Sequence, residues 1–170
     1  MARLFHCSAA ALLFSVIWSS SANAQTLSPP NAYFSATGSM NLTKNENGGQ
    51  SVWPCALNFN GQVTGPNTIS ISAWSTPNFN CPRLSFQPST ITITSKTADG
   101  GTGYIQELTV RLLNDSGGVV NYVYCRQFYA PIRFINNGAS QTSIQIDLKD
   151  NTFGCNLLAD MKTCPDVNVD

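Results

Sequence analysis

A period-two alternation of apolar and polar residues recurs in five segments of this chain and constrains its fold more than any other feature. Successive side chains of a β-strand point to opposite faces, so each segment predicts a strand with one buried and one solvated face. The residues predicted to face inward are Trp53, Cys55, Leu57 and Phe59; Ile69, Ile71 and Ala73; Ile91 and Ile93; Leu108, Val110 and Leu112; and Ile144, Ile146 and Leu148. Pro54 cannot donate to a strand ladder, so its strand is expected to be at an edge or bulged there.

Turn signals separate these segments at short intervals, among them Gly65-Pro66-Asn67, Asp99-Gly100-Gly101 and Asn136-Asn137-Gly138. Asn60-Gly61 is predicted to be a turn as well, because Asn and Gly tolerate the positive φ angles of tight hairpins. Only residues 156–162 suggest a short helix. The prediction is an all-β protein with one antiparallel β-sandwich-like domain over residues 25–170, with Ig-like and barrel-like arrangements as variants.

Residues 1–24 have the features of a secretory signal peptide. Arg3 precedes a mostly apolar stretch from Leu4 to Trp18, and Ala22-Asn23-Ala24 has the small-x-small form that signal peptidase recognises. The apolar stretch is shorter than the ~20 residues that span a bilayer, and no later stretch is long and apolar enough to do so. The mature chain is therefore expected to begin at Gln25 and to be exported, to the periplasm or out of the cell, into an oxidising environment.

The mature chain would contain no histidine, because His6 is the only one in the sequence and lies in the predicted signal peptide. Without an imidazole, neither a Ser-His-Asp or Cys-His nucleophile nor a histidine-ligated zinc site is available. The arginines at positions 83, 111, 126 and 133 are spread along the chain, so nucleic acid is not an expected partner. No cofactor is predicted, and the aspartates of the last third are expected to form a solvated tail.

Five cysteines follow residue 24, with no CxxC pair: Cys55, Cys81, Cys125, Cys155 and Cys164. Cys55 lies on the apolar face of its predicted strand, which suits a structural disulfide better than a reactive thiolate. The preferred pairing joins Cys55 to Cys81 and Cys125 to Cys155, each closing a loop of about thirty residues and contributing on the order of 3 kcal/mol. Cys164 is then unpaired. The alternative pairs Cys155 with Cys164 and leaves Cys125 over, and the sequence does not decide between the two.

The N-terminal third of the predicted mature chain contains "LSPPNAYFSATGSMNLTKN", then "CALNFNGQV" and then Cys81. This stretch resembles the small exported bacterial PraB-like proteins described as activators of alkane oxidation. The matching residues are Ser28, Pro29, Phe34, Ala36, Thr37, Gly38, Leu42, Thr43, Cys55, Phe59 and Gly61. The stretch from Cys125 to Cys155 is similar mainly in its cysteine spacing, whereas Cys164 and the acids near it depart from the pattern. The resemblance implies an exported, non-enzymatic accessory protein that promotes growth on hydrocarbons, and the sequence shows no evident ligand set for the iron of alkane hydroxylation.

An outward aromatic row is predicted on the strand that contains Cys125. If Cys125 points into the core, alternation turns the residues at even positions outward. The candidate surface consists of Tyr122, Tyr124, Arg126 and Phe128, together with Trp74, which is out of phase with the inward Ile71. Such a surface suits contact with a hydrocarbon droplet, a lipid, a glycan or another exported protein. The alternative is that a second sheet or a loop covers this face.

Two other classes of function stay open. A subunit of a surface, pilus or biofilm assembly would self-associate through its sheet edges. A small glycoside hydrolase, the weaker alternative, needs two carboxylates, but Glu46 and Glu107 are the only glutamates and have the pattern of solvated surface acids. Oxygen ligands for calcium lie close together at Asp147, Asp150 and Asn151, but they match no EF-hand loop, so no metal site is predicted.

Overall fold

A computed structural model of the protein describes residues 26–46, 49–76, 84–113, 119–138 and 141–170. The predicted signal peptide lies outside these ranges. The strands are β1 (Leu27–Ser28), β2 (Tyr33–Glu46), β3 (Gly49–Gly65), β4 (Thr68–Ser75), β5 (Leu84–Phe86), β6 (Ser89–Thr97), β7 (Gly100–Leu113), β8 (Val119–Ile135), β9 (Ser143–Asp150), β10 (Cys155–Cys164) and β11 (Asn168–Val169). The described ranges contain no helix that could cross a bilayer.

Nine of the strands form one sheet in the order β5-β7-β6-β4-β3-β2-β10-β9-β8, while β1 and β11 pair separately. A further pairing joins β7 to β8, from Gly100 opposite Ile135 to Leu113 opposite Val119. Because β7 and β8 lie on opposite sides of the sheet order, this pairing closes the sheet on itself. The all-β, antiparallel prediction is confirmed, and the closed sheet has the barrel-like form.

The interior is filled by the residues that the alternation predicted to face inward. Those buried are Cys55, Leu57, Phe59, Ile69, Ile71, Ile91, Ile93, Leu108, Val110, Ile144, Ile146 and Leu148. Trp53 is half-buried and packs against this core, and the side chains of Ala73 and Leu112 are not among those described. Full burial of an aliphatic or aromatic side chain contributes about 1.5–3 kcal/mol, so these strand faces supply most of the favourable free energy of folding.

Residues 156–162 belong to β10, so the prediction of a helix there is wrong. Leu157 and Met161 are buried while Leu158 and Asp160 are exposed, which is the period of a strand. The adjacent apolar residues Leu157, Leu158 and Ala159 obscure this period in the sequence. β10 pairs with β2 on one side and with β9 on the other, so tertiary backbone hydrogen bonds override local helix propensity.

Within the described ranges Pro54 lies at an edge, as predicted. Opposite Asn41, it occupies a part of β3 for which β2 is the one described neighbour, because β4 pairs with β3 only from Asn58 onward. The missing N–H of proline therefore faces away from the β2 ladder.

Asn60-Gly61 is not a turn, because both residues lie inside β3. Gly61 is required there for space: a Cβ atom at this position would lie 2.7 Å from Cζ of Phe34. The Phe34 ring in turn meets Phe59 edge-on, with ring centroids 5.9 Å apart. Phe34, Phe59 and Gly61 all belong to the segment that resembles the alkane oxidation activators, so this part of the resemblance reflects packing of β2 against β3.

We expect Gly61→Ala to lower the free energy of unfolding by about 1–3 kcal/mol, because the added methyl overpacks the core against Phe34. In a Phe34→Leu background the same substitution should cost less, since the atoms that it meets are gone. Urea unfolding of the four proteins of this double-mutant cycle measures the difference. Strictly additive losses would show that Gly61 is not needed to accommodate the Phe34 ring.

One disulfide joins β8 to β10 through Cys125 and Cys155, whose Cα atoms are 5.9 Å apart. This is the pairing that the sequence favoured. The rival pairing fails because Cys155 and Cys164 sit at opposite ends of the extended β10, about 30 Å apart at the rise of a strand. Cys164 is itself disulfide-bonded, which corrects its assignment as the unpaired cysteine. Cys55 is also disulfide-bonded, and its predicted partner Cys81 lies outside the described residues.

The two ends of the described chain are tied together. Leu27 of β1 pairs with Val169 of β11, and both side chains are buried. The Asn136 side chain donates to the carbonyl of Val169 at 2.8 Å and accepts from its N–H at 3.1 Å. These contacts fix β11 against the end of β8.

The aspartates of the last third do not form the predicted solvated tail. Asp150 is only 5% exposed. The half-buried Asp166 accepts hydrogen bonds from the N–H of Thr142 at 2.6 Å and from the Thr163 hydroxyl at 3.2 Å. Partial burial alone would raise the pKa of Asp166, but these hydrogen bonds outweigh it and hold the pKa below the ordinary value of 3.8. Both acids accept backbone hydrogen bonds that would otherwise be unsatisfied.

We expect Asp166 to stabilise the fold fully above pH 4 and to lose this contribution as the pH falls through its lowered folded-state pKa. Asp166→Asn should lower the free energy of unfolding by about 1–2 kcal/mol at neutral pH, because the charge-assisted hydrogen bonds become neutral ones. Urea unfolding at neutral pH and below pH 4 should show the gap between the two proteins narrowing in acid. A gap that stays constant would contradict this role.

Candidate functional site

Trp74 is half-buried and packs against the core, so its prediction as part of an outward aromatic row is wrong. β4 pairs with β3 through Ala73 opposite Asn60 and Ile71 opposite Gly61, which leaves Ser72 as an extra residue. This β-bulge inverts the alternation of β4 and turns Trp74 back inward. Its ring lies 4.9 Å from that of Phe59 and 5.2 Å from that of Phe86, between centroids.

Arg126 and Phe128 lie on the outer face of β8, where the alternation placed them. Cys125 is fully buried, Arg126 is exposed and Phe128 is 53% exposed. The side chains of Tyr122 and Tyr124 are outside the described set, so their place in the row stays a prediction. No cover from a second sheet reaches Phe128 within the described ranges.

The alternation of buried and exposed side chains changes phase in β7 and in β8, between the pair Ile105–Ala130 and the pair Leu108–Gln127. On β8 the buried residues Cys125 and Ala130 are five apart, and on β7 the buried residues Ile105 and Leu108 are three apart. Tyr129 marks the inversion with a φ of 55°, in the left-handed region that bulky side chains rarely adopt. As a result Phe128 and Tyr129, although adjacent in sequence, both face solvent.

These residues form an aromatic patch, defined here as Tyr104, Phe128 and Tyr129 together with Arg126 and Glu107. The rings of Tyr104 and Tyr129 meet edge-on with centroids 5.1 Å apart. The Arg126 guanidinium lies 4.5 Å above the Phe128 ring and forms a 3.0 Å ion pair with Glu107. Tyr129 is 63% exposed. The patch therefore presents apolar ring surface held by polar contacts around it.

The base of the patch is fixed to the hairpin between β9 and β10. Cys125 is bonded to Cys155 at the start of β10, and the N–H of Arg126 donates to Oδ2 of Asp150 at 2.6 Å. Oδ1 of Asp150 accepts from the N–H groups of Thr152 and Phe153. A covalent and a charge-assisted link at neighbouring residues hold Arg126 in place.

Both carboxylate oxygens of Asp150 are thus used by backbone N–H groups, which supports the strand-end turn as the explanation for the acids considered as calcium ligands. Asn151 lies in the exposed turn. Within the described ranges, no cluster of three or more His, Cys, Asp or Glu side chains suits a metal ion.

Glu107, considered above as a carboxylate for glycoside hydrolysis, is engaged on one oxygen by two residues. Oε1 accepts from Nε of Arg126 at 3.0 Å and from the hydroxyl of Thr109 at 2.9 Å. The second glutamate, Glu46, has a side chain outside the described set. The contacts of Glu107 are those of a surface ion pair that orients Arg126.

Sequence reasoning missed Tyr104 and Tyr129. Tyr129 has the same parity as Cys125, so strict alternation assigned it to the interior, and only the left-handed backbone at this residue brings it out. Tyr104 follows the glycine-rich segment Gly100-Gly101-Thr102-Gly103 and joins the patch through the register of β7 with β8. No periodic signal in the sequence marks either residue.

The fold and the patch define an all-β protein with a closed antiparallel sheet, a disulfide between two of its strands and an exposed aromatic surface. The chain belongs to the alkane oxidation protein activator PraA/PraB-like family, whose model matches residues 1–170. The resemblance seen in the N-terminal third is thereby confirmed and extends over all of the sequence. Comparisons with curated proteins and with solved structures found no match.

We expect Tyr129→Gly to leave the free energy of unfolding within about 1 kcal/mol of the unsubstituted protein. Relief of the left-handed strain, about 1–2 kcal/mol, offsets both the lost ring contact and the greater freedom of glycine in the unfolded chain. Phe128→Gly, in ordinary strand conformation, is the matched control and should lose about 1 kcal/mol or more. Chemical denaturation compares them, and an equal loss at both positions would contradict strain at Tyr129.

Proposed function

We propose that this protein is an exported, non-enzymatic accessory factor in alkane use, and that it acts by placing its aromatic patch against an apolar surface such as a hydrocarbon droplet. The observation that carries the proposal is the adjacent pair of exposed rings, Phe128 and Tyr129, on a fixed base. Membership of the alkane oxidation activator family supplies the process in which this contact would serve.

The patch is suited to adsorption in both energy and rigidity. Transfer of the exposed ring surface of Phe128 and Tyr129 into an apolar phase contributes about 2–4 kcal/mol. Arg126 covers one face of the Phe128 ring, and its charge and that of Glu107 keep contact with water. Because Cys125 and Arg126 are anchored to the β9–β10 hairpin, little side-chain or backbone order has to be imposed on contact.

Export and the absence of catalysis belong to the same proposal. The signal-like residues 1–24 and the disulfide between Cys125 and Cys155 are what an exported protein in an oxidising compartment would have. Residues 25–170 contain no histidine, and Glu107 is committed to Arg126. These features support a role by contact.

Assembly through sheet edges is the second candidate. It is favoured by the part of β3 before Asn58, which pairs on one side only within the described ranges and exposes 54% of Val52. Pro54 lies in the same stretch and removes a backbone donor from that edge, which opposes pairing with another chain. Contact through the aromatic patch therefore ranks first.

We expect Phe128→Ser combined with Tyr129→Asn to reduce partitioning of the folded protein onto hexadecane droplets by about ten-fold or more. Asparagine is chosen at position 129 because it tolerates the left-handed backbone. Depletion of the oxidised protein from buffer by the droplets measures the partitioning, and circular dichroism confirms that the β-sheet is retained.

The matched control is Tyr33→Ser combined with Val52→Ser. It also removes one exposed aromatic and one other exposed apolar side chain, at 72% and 54% exposure, but on β2 and β3. β10 and β9 separate β2 from β8 in the sheet order. Equal partitioning of the two double variants would show that adsorption is non-specific and would overturn the role of the patch.

A further inference from the structure

A second feature of the outer surface is a groove of about 480 Å³ across β2, β10, β9 and β8, called the outer groove here. Two cross-strand rows of side chains form it. One row runs from Asn41 through Leu158 to Asp147, and the other from Ser39 through Asp160 and Gln145 to Arg133. On β8 it is lined by Pro131, Ile132 and Arg133, and it shares no residue with the aromatic patch.

The polar side chains of the outer groove are largely uncommitted. Four of them have no hydrogen bond or ion pair with any described residue: Ser39, Asn41, Gln145 and Asp160. The hydroxyl and the two amides can each donate and accept, while the Asp160 carboxylate accepts only. Leu158, 51% exposed, supplies an apolar strip between them. Such a lining matches a ligand that carries many hydroxyl groups on a partly apolar frame.

The charges of the outer groove favour a cation. The guanidinium of Arg133 is paired with Asp99 at 2.7 Å, so its charge is compensated from outside the groove. Lys149 pairs with Oδ2 of Asp147 at 3.0 Å, so the charge of Asp147 is compensated as well. Asp160 has no cationic partner among the described residues. The groove therefore keeps one negative charge without a partner, that of Asp160, which disfavours phosphate and carboxylate ligands.

An alkyl chain does not fit this surface, in contrast to the aromatic patch. Covering Asn41, Gln145 and Asp160 with hydrocarbon would remove their water without replacing the hydrogen bonds. The same groups would instead be satisfied by hydroxyls and by an ammonium group.

We propose that the outer groove binds a chain of amine-bearing sugars. The sugar hydroxyls exchange hydrogen bonds with Ser39, Asn41 and Gln145, and the ring C–H faces pack on Leu158. The ammonium group is placed at the exposed carboxylate of Asp160, which has no cationic partner among the described residues. The protein would then hold a polysaccharide on one part of its outer wall and an apolar surface on another.

The test is isothermal titration of the exported, oxidised protein with a hexamer of β-linked glucosamine, in mildly acidic buffer where the amines are protonated. Saturable binding is expected, and Asp160→Asn should weaken it about ten-fold through loss of a charge-assisted hydrogen bond. Asp170→Asn, which removes an exposed acid that pairs with Thr26 beside β1 and does not line the groove, is the matched control and should bind as the unsubstituted protein does. Absence of saturable binding, or equal effects of the two substitutions, would overturn the proposal.

Two further ligands separate sugar recognition from plain charge attraction. The N-acetylated hexamer keeps the hydroxyls but lacks the charge, and should bind about ten-fold more weakly. Hexalysine keeps the charge but lacks the hydroxyls, and its binding should be weak and insensitive to Asn41→Ala and Gln145→Ala. If hexalysine binds as tightly as the sugar, or if the two alanine variants bind the sugar unchanged, the groove is not a sugar site. Droplet partitioning of these variants stays as in the unsubstituted protein, so this outcome is independent of the aromatic patch.

Discussion

Backbone pairing between β7 and β8 is the interaction on which the rest of the structure depends. Without it, the sheet would be an open ribbon with β8 unpaired at one end, and the apolar faces of its strands could not enclose a common interior. With it, the buried residues of all the long strands face one core. The side chains that point away from this core form the outer wall of the closed sheet, where both candidate binding surfaces lie.

The way β8 leaves β9 explains where the aromatic patch forms. β8 pairs with β9 only from Ile132 to Ile135. Before Ile132, side chains replace the backbone ladder: Asp150 accepts from the N–H of Arg126, and Oε1 of Gln127 accepts from the N–H of Lys149 at 2.7 Å. The left-handed Tyr129 lies between these contacts and the regular pairing. The aromatic pair is therefore presented at a local break in sheet geometry, where strain in the backbone is compensated by the contacts around it.

Much of the fold follows from the sequence because burial of one strand face requires a strict period of two. The segments around Leu57, Ile91 and Ile146 obey that rule and were placed correctly. The rule fails wherever a local distortion changes the phase. The extra residue Ser72 turned Trp74 inward, and the backbone of Tyr129 turned that ring outward.

Residue type led to wrong predictions of a turn and of a solvated tail, for a different reason. Asn60-Gly61 has the residues of a hairpin, but Gly61 is small because Phe34 lies against it. The acids Asp150 and Asp166 are polar in sequence, but their oxygens satisfy backbone N–H groups from distant segments. Such roles depend on neighbours brought together by pairing, which no local pattern contains. Family membership was recognisable from the N-terminal motif, whereas the members of the aromatic patch needed the register of β7 with β8.

The position of β10 in the sheet has a consequence for how the protein folds. β2 can pair with β3 as a local hairpin, but its other edge is paired by β10, which lies far along the chain, with Leu42 opposite Leu157. Pairing between such distant segments is slower than closing a hairpin, because a long loop has to be ordered first. Until β10 docks, β2 presents an unpaired edge with apolar residues on one face, which is a template for pairing with another unfolded chain. The yield of native protein therefore depends on how soon β10 docks, as well as on the stability of the finished sheet.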